Sequence, residues 1–341
     1  MGRARGTIAD MRAGVIAGTA AVAVGALAVT ATRRRARQIA ASPDPYPYDL
    51  LSTEPRGETS YLERPDGTRL RVVTAGSGPT VVLAHGLYMD VVNWSVLWDM
   101  LLARGYRVVA FDQRGHGSST IGRDGISTES MSGDYLAVLE YVDAQDAVLL
   151  GHSMGGFLAI AAVLDVPGVT ERLRGLILMS TFPGDVLRGA PHNKAQIPLI
   201  KVGMLQAMVA NDTVGTIFSA GVCGDRPSPA MVRVFLDTFR AADHRSLLPI
   251  LTAFSDEDRG DRLIDIALPT IVLCGTKDTL TPPWQSQRIA DAIPGAQVWW
   301  LPGAGHMLNW ESTDAIVEAI SDLSAKPDLS AKPGLSATPA R

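Results

Sequence analysis

Residues 147–156 read Ala147-Val-Leu-Leu-Gly151-His-Ser153-Met-Gly155-Gly156. The apolar run 147–150 is what a strand covered on both faces of a parallel sheet looks like. It leads into the pattern G-x-S-x-G at 151–155, and 154–164 continues as an apolar helical stretch. A strand turning this sharply into a helix puts Ser153 on a strained bend with its hydroxyl projecting, and Gly151 and Gly155 remove side chains that would collide there. The helix amino terminus adds a field that favours negative charge. Taken alone the pentapeptide is a weak signal, because a Gly-rich turn whose serine caps a helix has the same letters. Its place between strand and helix gives it weight.

Outward from this turn, short β-branched runs recur at 70–75, 80–84, 107–111, 175–180, 270–274 and 297–301. Helical patterns fall between them at 94–103, 129–142, 283–292 and 310–323. Such alternation predicts an α/β fold on a doubly wound, mostly parallel sheet, with residues 61–181 and 263–322 as its core. Residues 182–262 break the rhythm. They offer amphipathic pieces at 194–209, 229–241 and 243–254 and no strand, which predicts a helical cap over the carboxyl edge of the sheet, where ligands bind.

The chain has 341 residues, 46% hydrophobic and 19% charged, enough for a large core and incompatible with wholesale disorder. Its formal charge of −4 hides an asymmetry: residues 1–40 hold seven Arg and one Asp, a net of +6, leaving −10 for the rest. An acidic globular part argues against nucleic acid as a partner. Residues 13–32 are a run of 20 uncharged residues between Arg3, Arg5, Arg12 and Arg33, Arg34, Arg35, Arg37. As a helix the run would span about 30 Å, the thickness of a bilayer's hydrocarbon core. It reads as a single-pass anchor that places the protein at a membrane or in the cell envelope. A signal peptide cleaved after Ala26-Leu27-Ala28 and a disordered leader stay open beside it.

Residues 41–60, with Pro43, Pro45, Pro47 and Pro55, suit an extended linker. Hexapeptides beginning at Leu323, Leu329 and Leu335 repeat a proline every sixth residue, so 323–341 reads as a disordered tail. Cys223 and Cys274 are too few for a disulfide framework and lack zinc spacing, while a single bridge between them stays open.

Further motifs follow other strands: His85-Gly86, then Asp112-Gln-Arg-Gly115-His-Gly117-Ser-Ser, then Gly275-Thr-Lys-Asp278 and Gly303-Ala-Gly305-His306. With G-x-S-x-G they make residues 61–322 resemble the α/β-hydrolase superfamily, closest to its cap-bearing lipase/esterase-like and cofactor-free haloperoxidase-like branches. The resemblance implies a cap inserted after the sixth core strand, and a reaction that needs neither cofactor nor metal. A serine nucleophile needs a base, and the base an orienting carboxylate. The chain order Ser…Asp…His used by the superfamily assigns these parts to Ser153, Asp278 and His306.

A turn- or helix-capping role competes for Asp278, because Thr279-Leu-Thr-Pro-Pro283 leads into a helix. The second acid position of some relatives falls near Ser180-Thr181, where no carboxylate stands. Oxyanion donors are expected in the backbone N–H of Met154, after the nucleophile, and by resemblance in that of Leu87. His85, His116 and His152 receive structural roles, as does Asp112, a brace for the turn 114–118. His192 and His244 fall in the cap, and no metal-binding spacing of histidines occurs.

Ser153 separates the chain from haloalkane dehalogenases and epoxide hydrolases, which use an aspartate there. The expected activity is therefore hydrolysis of small carboxylic esters, lipophilic ones above all, through an acyl-enzyme. Leu199, Met204, Leu205, Met208, Ile217, Phe218, Met231, Phe235 and Phe239 suit an apolar acyl chain, or simply pack the cap onto the core. Two alternatives remain: the same three residues serving perhydrolysis, amide or carbon–carbon cleavage, and a non-catalytic binding protein on this fold.

Overall fold

The computed structural model describes residues 30–186 and 198–325. Among these, eight strands form one sheet: β1 Glu58–Glu63, β2 Arg69–Ala75, β3 Thr80–Ala84, β4 Arg107–Phe111, β5 Ala147–His152, β6 Leu173–Met179, β7 Thr270–Gly275 and β8 Gln297–Leu301. Their spatial order is β1-β2-β4-β3-β5-β6-β7-β8. The β1–β2 and β2–β4 pairs are antiparallel and the remaining pairs parallel. Every strand expected from the sequence is present, with ends displaced by at most two residues. The added strand, β1, is a polar edge with little burial, so it lacks the apolar run that marks the others.

β3, β5 and β7 are buried along their whole length. The two-residue period of a strand sends Val82, Ala84 and Leu149 to one face, and Val81, Leu83, Val148 and Leu150 to the other. Helices Thr128–Tyr141, Met154–Asp165 and Pro283–Ala292 cover the first face through Tyr135, Phe157 and Ile289. Helices Ser95–Ala103 and Thr313–Ser324 cover the second through Leu97, Leu101, Ile316 and Ile320. Parallel pairing aligns the carboxyl ends of β5, β6, β7 and β8 along one rim. The chain emerges there toward Ser153, Asp278 and His306.

Between β6 and β7 lie helices Met204–Val209, Asp212–Ala220, Pro229–Ala241 and Leu248–Asp256. The helix expected over 243–254 starts later because the Asp243 carboxylate accepts from the Arg245 and Ser246 amides, a local turn that competes with helix. The helix expected over 310–323 is broken at Ser312 into Leu308–Glu311 and Thr313–Ser324. Residues 187–197, with His192, lie outside the described residues.

The membrane expectation is corrected. Among the described residues no helix is long and apolar enough to cross a membrane. Residues 13–29 of the expected anchor lie outside the described residues, and the described helix over 30–40 carries the flanking Arg33, Arg34, Arg35 and Arg37. The single-pass anchor and the membrane or envelope placement built on it are therefore not upheld.

Residues 41–60 are not an extended linker. Tyr48–Ser52 is helical, and Leu51 is fully buried in a cluster with Val234, Phe235 and Trp310. Tyr46 Oη lies 3.1 Å from Thr313 Oγ1 in the core, while Asp44 Oδ1 accepts from the Ala230 amide of the cap at 2.8 Å. Ile39, Tyr46, Tyr48 and Leu51 follow no helix or strand period, so their burial leaves no pattern in the sequence. Residues 323 and 324 of the expected tail belong to the last helix, and residues 326–341 lie outside the described residues. Cys223 and Cys274 are both free and buried, so no bridge joins them.

Leu51→Ala is expected to cost about 2–5 kcal/mol by opening a cavity under the cap. A lowered urea midpoint measures this, and an unchanged midpoint would mean that the arm over 39–54 is not docked.

Candidate active site

Ser153 has φ 53° and ψ −117°, a backbone conformation that side chains other than glycine rarely adopt. Strain of this kind costs about 1–3 kcal/mol and persists only when neighbours over-determine it. Here the Ser153 amide donates to the Met179 carbonyl at the end of β6 (3.0 Å). Its carbonyl accepts from the Gly156 and Phe157 amides and from Thr181 Oγ1 at 2.6 Å. A Cβ on Gly151 would lie 2.5 Å from the Gly155 oxygen, and one on Gly155 would lie 2.2 Å from the Ala84 oxygen. Only glycine lets the helix come this close to β3 and β5.

Asp278 follows β7 and His306 follows β8. His306 Nδ1 donates to Asp278 Oδ2 at 2.9 Å, with both side chains buried. The carboxylate also accepts from the Leu280 and Thr281 amides at 2.9 Å each and from Thr281 Oγ1 at 2.7 Å. Burial pushes its pKa up, but the His306 ring and these donors outweigh that and hold it below 3.8. Of the two competing roles considered for Asp278, the turn is present alongside the histidine bond, its amides on the other oxygen, while the helix at Pro283 has no side-chain cap.

The His306 loop is fixed by close backbone approach. Its amide donates to the Val222 carbonyl of the cap at 2.8 Å, and a Cβ on Gly305 would lie 2.4 Å from the Cys223 carbonyl carbon. The Glu311 carboxylate accepts from the amides of Gly224, Gly305 and Met307 (2.7, 3.1 and 3.3 Å), tying cap and loop together. His152 Nε2 donates to the His306 carbonyl at 2.9 Å, so the residue before Ser153 braces the loop directly. Burial and the nearby His306 ring push the His152 pKa down to about 3, which keeps it neutral.

Ser153 and His306 line one cavity of about 130 Å³. Among the described residues the Ser153 hydroxyl makes no hydrogen bond, so the histidine–carboxylate link is closed and the serine–histidine link is not. Catalytic hydrogen bonds often tighten only when substrate arrives. Leu87 borders the same cavity, and its amide donates no hydrogen bond among the described residues. Met154 is the first residue of its helix and has no intrahelical acceptor. Phe182, Phe218, Phe239, Leu251 and Phe254 make the remaining wall apolar.

The other motif residues hold structure. Asp112 accepts from the Val91 and Ser118 amides at 2.9 and 2.8 Å, and burial pushes its pKa up to about 6. His85 accepts from the Gln113 amide, and His116 donates to the Arg114 carbonyl. Thr281, Glu311 and the His152 bond were not foreseen. Thr281 had a readable signal, standing three residues after a candidate carboxylate at a helix entrance. Glu311 and His152 had none, since their partners are remote or backbone groups.

Residues 81–319 match the model of a family described as the alpha/beta hydrolase family. A non-heme chloroperoxidase of Kitasatospora aureofaciens is 28% identical over 249 residues, 71% of this chain and 90% of that protein. The crystal structure of a hydrolase from Pseudomonas aeruginosa is 27% identical with a TM-score of 0.66, over 78% of this chain and 98% of that one. An esterase from Exiguobacterium antarcticum has a TM-score of 0.69 at 23% identity, over 78% of this chain and 100% of that one; at that identity the likeness concerns the fold alone.

Carbon-13 NMR titration is expected to find Asp278 ionising below its ordinary value of 3.8. With a depressed folded pKa, its contribution to stability is complete above 3.8 and is lost as pH falls through the folded value. Thr281→Val, which removes a donor, should move the titration upward. A value at or above 3.8 in the unsubstituted protein would contradict this network.

Proposed function

The chain belongs to the alpha/beta hydrolase family, and from that premise we propose that it is a serine hydrolase of carboxylic esters acting through an acyl-enzyme. The hydrogen bond between His306 and Asp278, at a cavity that Ser153 also lines, carries this reading. Ser153 Oγ attacks the ester carbonyl carbon while His306 Nε2 takes its proton. Asp278 keeps the other ring proton on Nδ1 and stabilises the imidazolium as it forms. The bond from the serine hydroxyl to Nε2 forms as substrate arrives, when catalytic hydrogen bonds tighten.

The tetrahedral oxyanion is received by the amides of Leu87 and Met154. Loss of one such donor typically costs about 2.7–4 kcal/mol of transition-state stabilisation. His306 then protonates the departing alcohol, deprotonates a water, and the acid leaves Ser153. The phenylalanine-lined wall supports an apolar acyl group, and the modest volume of the cavity favours short chains over long ones.

A second reading draws on the chloroperoxidase relative. Hydrogen peroxide in place of water would attack the same acyl-enzyme, giving a peracid and free Ser153. Comparing peroxide with water as acceptor, at one ester, separates the two by their partition ratio.

A fluorophosphonate probe is expected to label Ser153 in the folded protein. Ser153→Ala should lower ester turnover by roughly 10⁴-fold or more, and Asp278→Asn by about 10³–10⁴-fold, with the thermal midpoint measured alongside. Ester hydrolysis surviving in Ser153→Ala would overturn the proposal.

A further inference from the structure

We propose that a polar cleft beside the acyl cavity binds the leaving group of the substrate, and that this group is an alcohol carrying an ammonium N–H. The inference rests on the ester reading of Ser153 and adds the substrate class. The cleft has a volume of about 570 Å³, against about 130 Å³ for the apolar cavity. Tyr88 and Met89 border both spaces, and they directly follow Gly86-Leu87. An ester whose carbonyl oxygen sits at the Leu87 and Met154 amides must send its acyl and alcohol parts in different directions. The phenylalanine-lined cavity suits the first, and the cleft, which shares Tyr88 and Met89 with it, is assigned to the second.

The charge of the cleft selects the alcohol. Among the described residues Glu54 of the arm, Asp90, and Asp237 and Asp243 of the cap line it, against one lining cation, Arg71; Arg233, outside the lining, pairs with Asp237 at 3.6 Å. Arg71 is already engaged, with Glu54 at 2.8 Å and the buried Asp112 at 3.7 Å, so it offers little to an anionic ligand. Two further lining residues have buried polar atoms with no hydrogen-bond partner among the described residues: Tyr88 Oη and His116 Nε2. The residues are 8% and 4% exposed, a depth at which polar atoms are ordinarily paired.

His116 donates from Nδ1 to the Arg114 carbonyl at 3.1 Å, which leaves Nε2 a bare acceptor. Burial lowers its pKa to about 4, so at neutral pH it still accepts. Carboxylates and an unpaired imidazole nitrogen together ask for a cationic donor. The arm is part of this arrangement: Tyr48 borders the cleft, donates to Asp237 at 3.1 Å, and lies under the Arg233 guanidinium at 4.6 Å.

The test compares two butyrate esters of similar shape, 2-(dimethylamino)ethyl, protonated at neutral pH, and 3-methylbutyl, which is neutral. At low salt the first is expected to show a kcat/KM at least roughly fivefold higher, the scale of one or two exposed ion pairs. The ratio should fall toward one in 0.5 M salt and in the double variant Asp237→Asn, Asp243→Asn. A ratio at or below one, with both esters hydrolysed, overturns the cleft proposal and leaves the ester reading standing. Calorimetric titration with free 2-(dimethylamino)ethanol reads the cleft without turnover. Salt-sensitive binding that the double variant loses, without hydrolysis of either ester, would support the cleft and sink the ester reading. Absence of both binding and hydrolysis overturns both.

Discussion

Three stretches of backbone meet at Ser153 with no space for a side chain between them. The strand end at Gly151, the first helical turn at Gly155 and Gly156, and the carboxyl end of β3 at Ala84 approach so closely that a Cβ at any of these glycines would lie 2.2–2.5 Å from another atom. That crowding holds Ser153 at positive φ, with its carbonyl occupied by two amides and Thr181 and its own amide by Met179. The hydroxyl is left as the one polar group of this residue without a structural duty. Everything downstream inherits its position from this turn, because β5 is the strand against which β6, and then β7 and β8, are registered.

The same rim shows how an acidic protein keeps carboxylates buried. Asp278, Asp112 and Glu311 each take backbone amides as donors instead of relying on a single cation. Amide donors come from chain that is already fixed, so these carboxylates stitch loops to strand ends. Arg114, by contrast, spans Asp66 at 2.6 Å and Asp134 at 2.9 Å, pinning the long helix on the opposite side of the same loop. Asp278 differs from the others in having one oxygen facing His306, which turns a structural carboxylate into an orienting one.

Cap and arm together decide what the rim can hold. Aromatic side chains pack around the reactive cavity: Phe182 and Phe254 of the cap and Phe157 of the core lie with centroids 5.1–5.4 Å apart, and Phe239 packs on both Tyr88 and Phe218. The arm closes the other side through Ile39, Tyr48 and Leu51. Tyr88, at positive φ itself, stands between an apolar chamber and a polar one. A substrate with unlike ends fits that division better than one with like ends.

The sequence by itself determined the architecture, because strand runs, helix periods and glycine turns are written in neighbouring residues; Ser153, Asp278 and His306 were legible as candidates through their places after strands and the chain order of the family they resemble. The Asp112 brace was legible for the same reason. Its reach stopped where apolar residues follow no period and where partners are far apart. The arm's burial, the edge strand β1 and the bond from His152 to the His306 carbonyl, 154 residues away, have no local signature. The run at 13–32 read as a membrane span because hydropathy and length are local properties, yet no described helix has that character. Tertiary structure alone joined His306 to Asp278, left the serine bond open, and set a polar cleft beside an apolar cavity. Those facts depend on which surfaces close packing brings together, and close packing is a property of the whole chain.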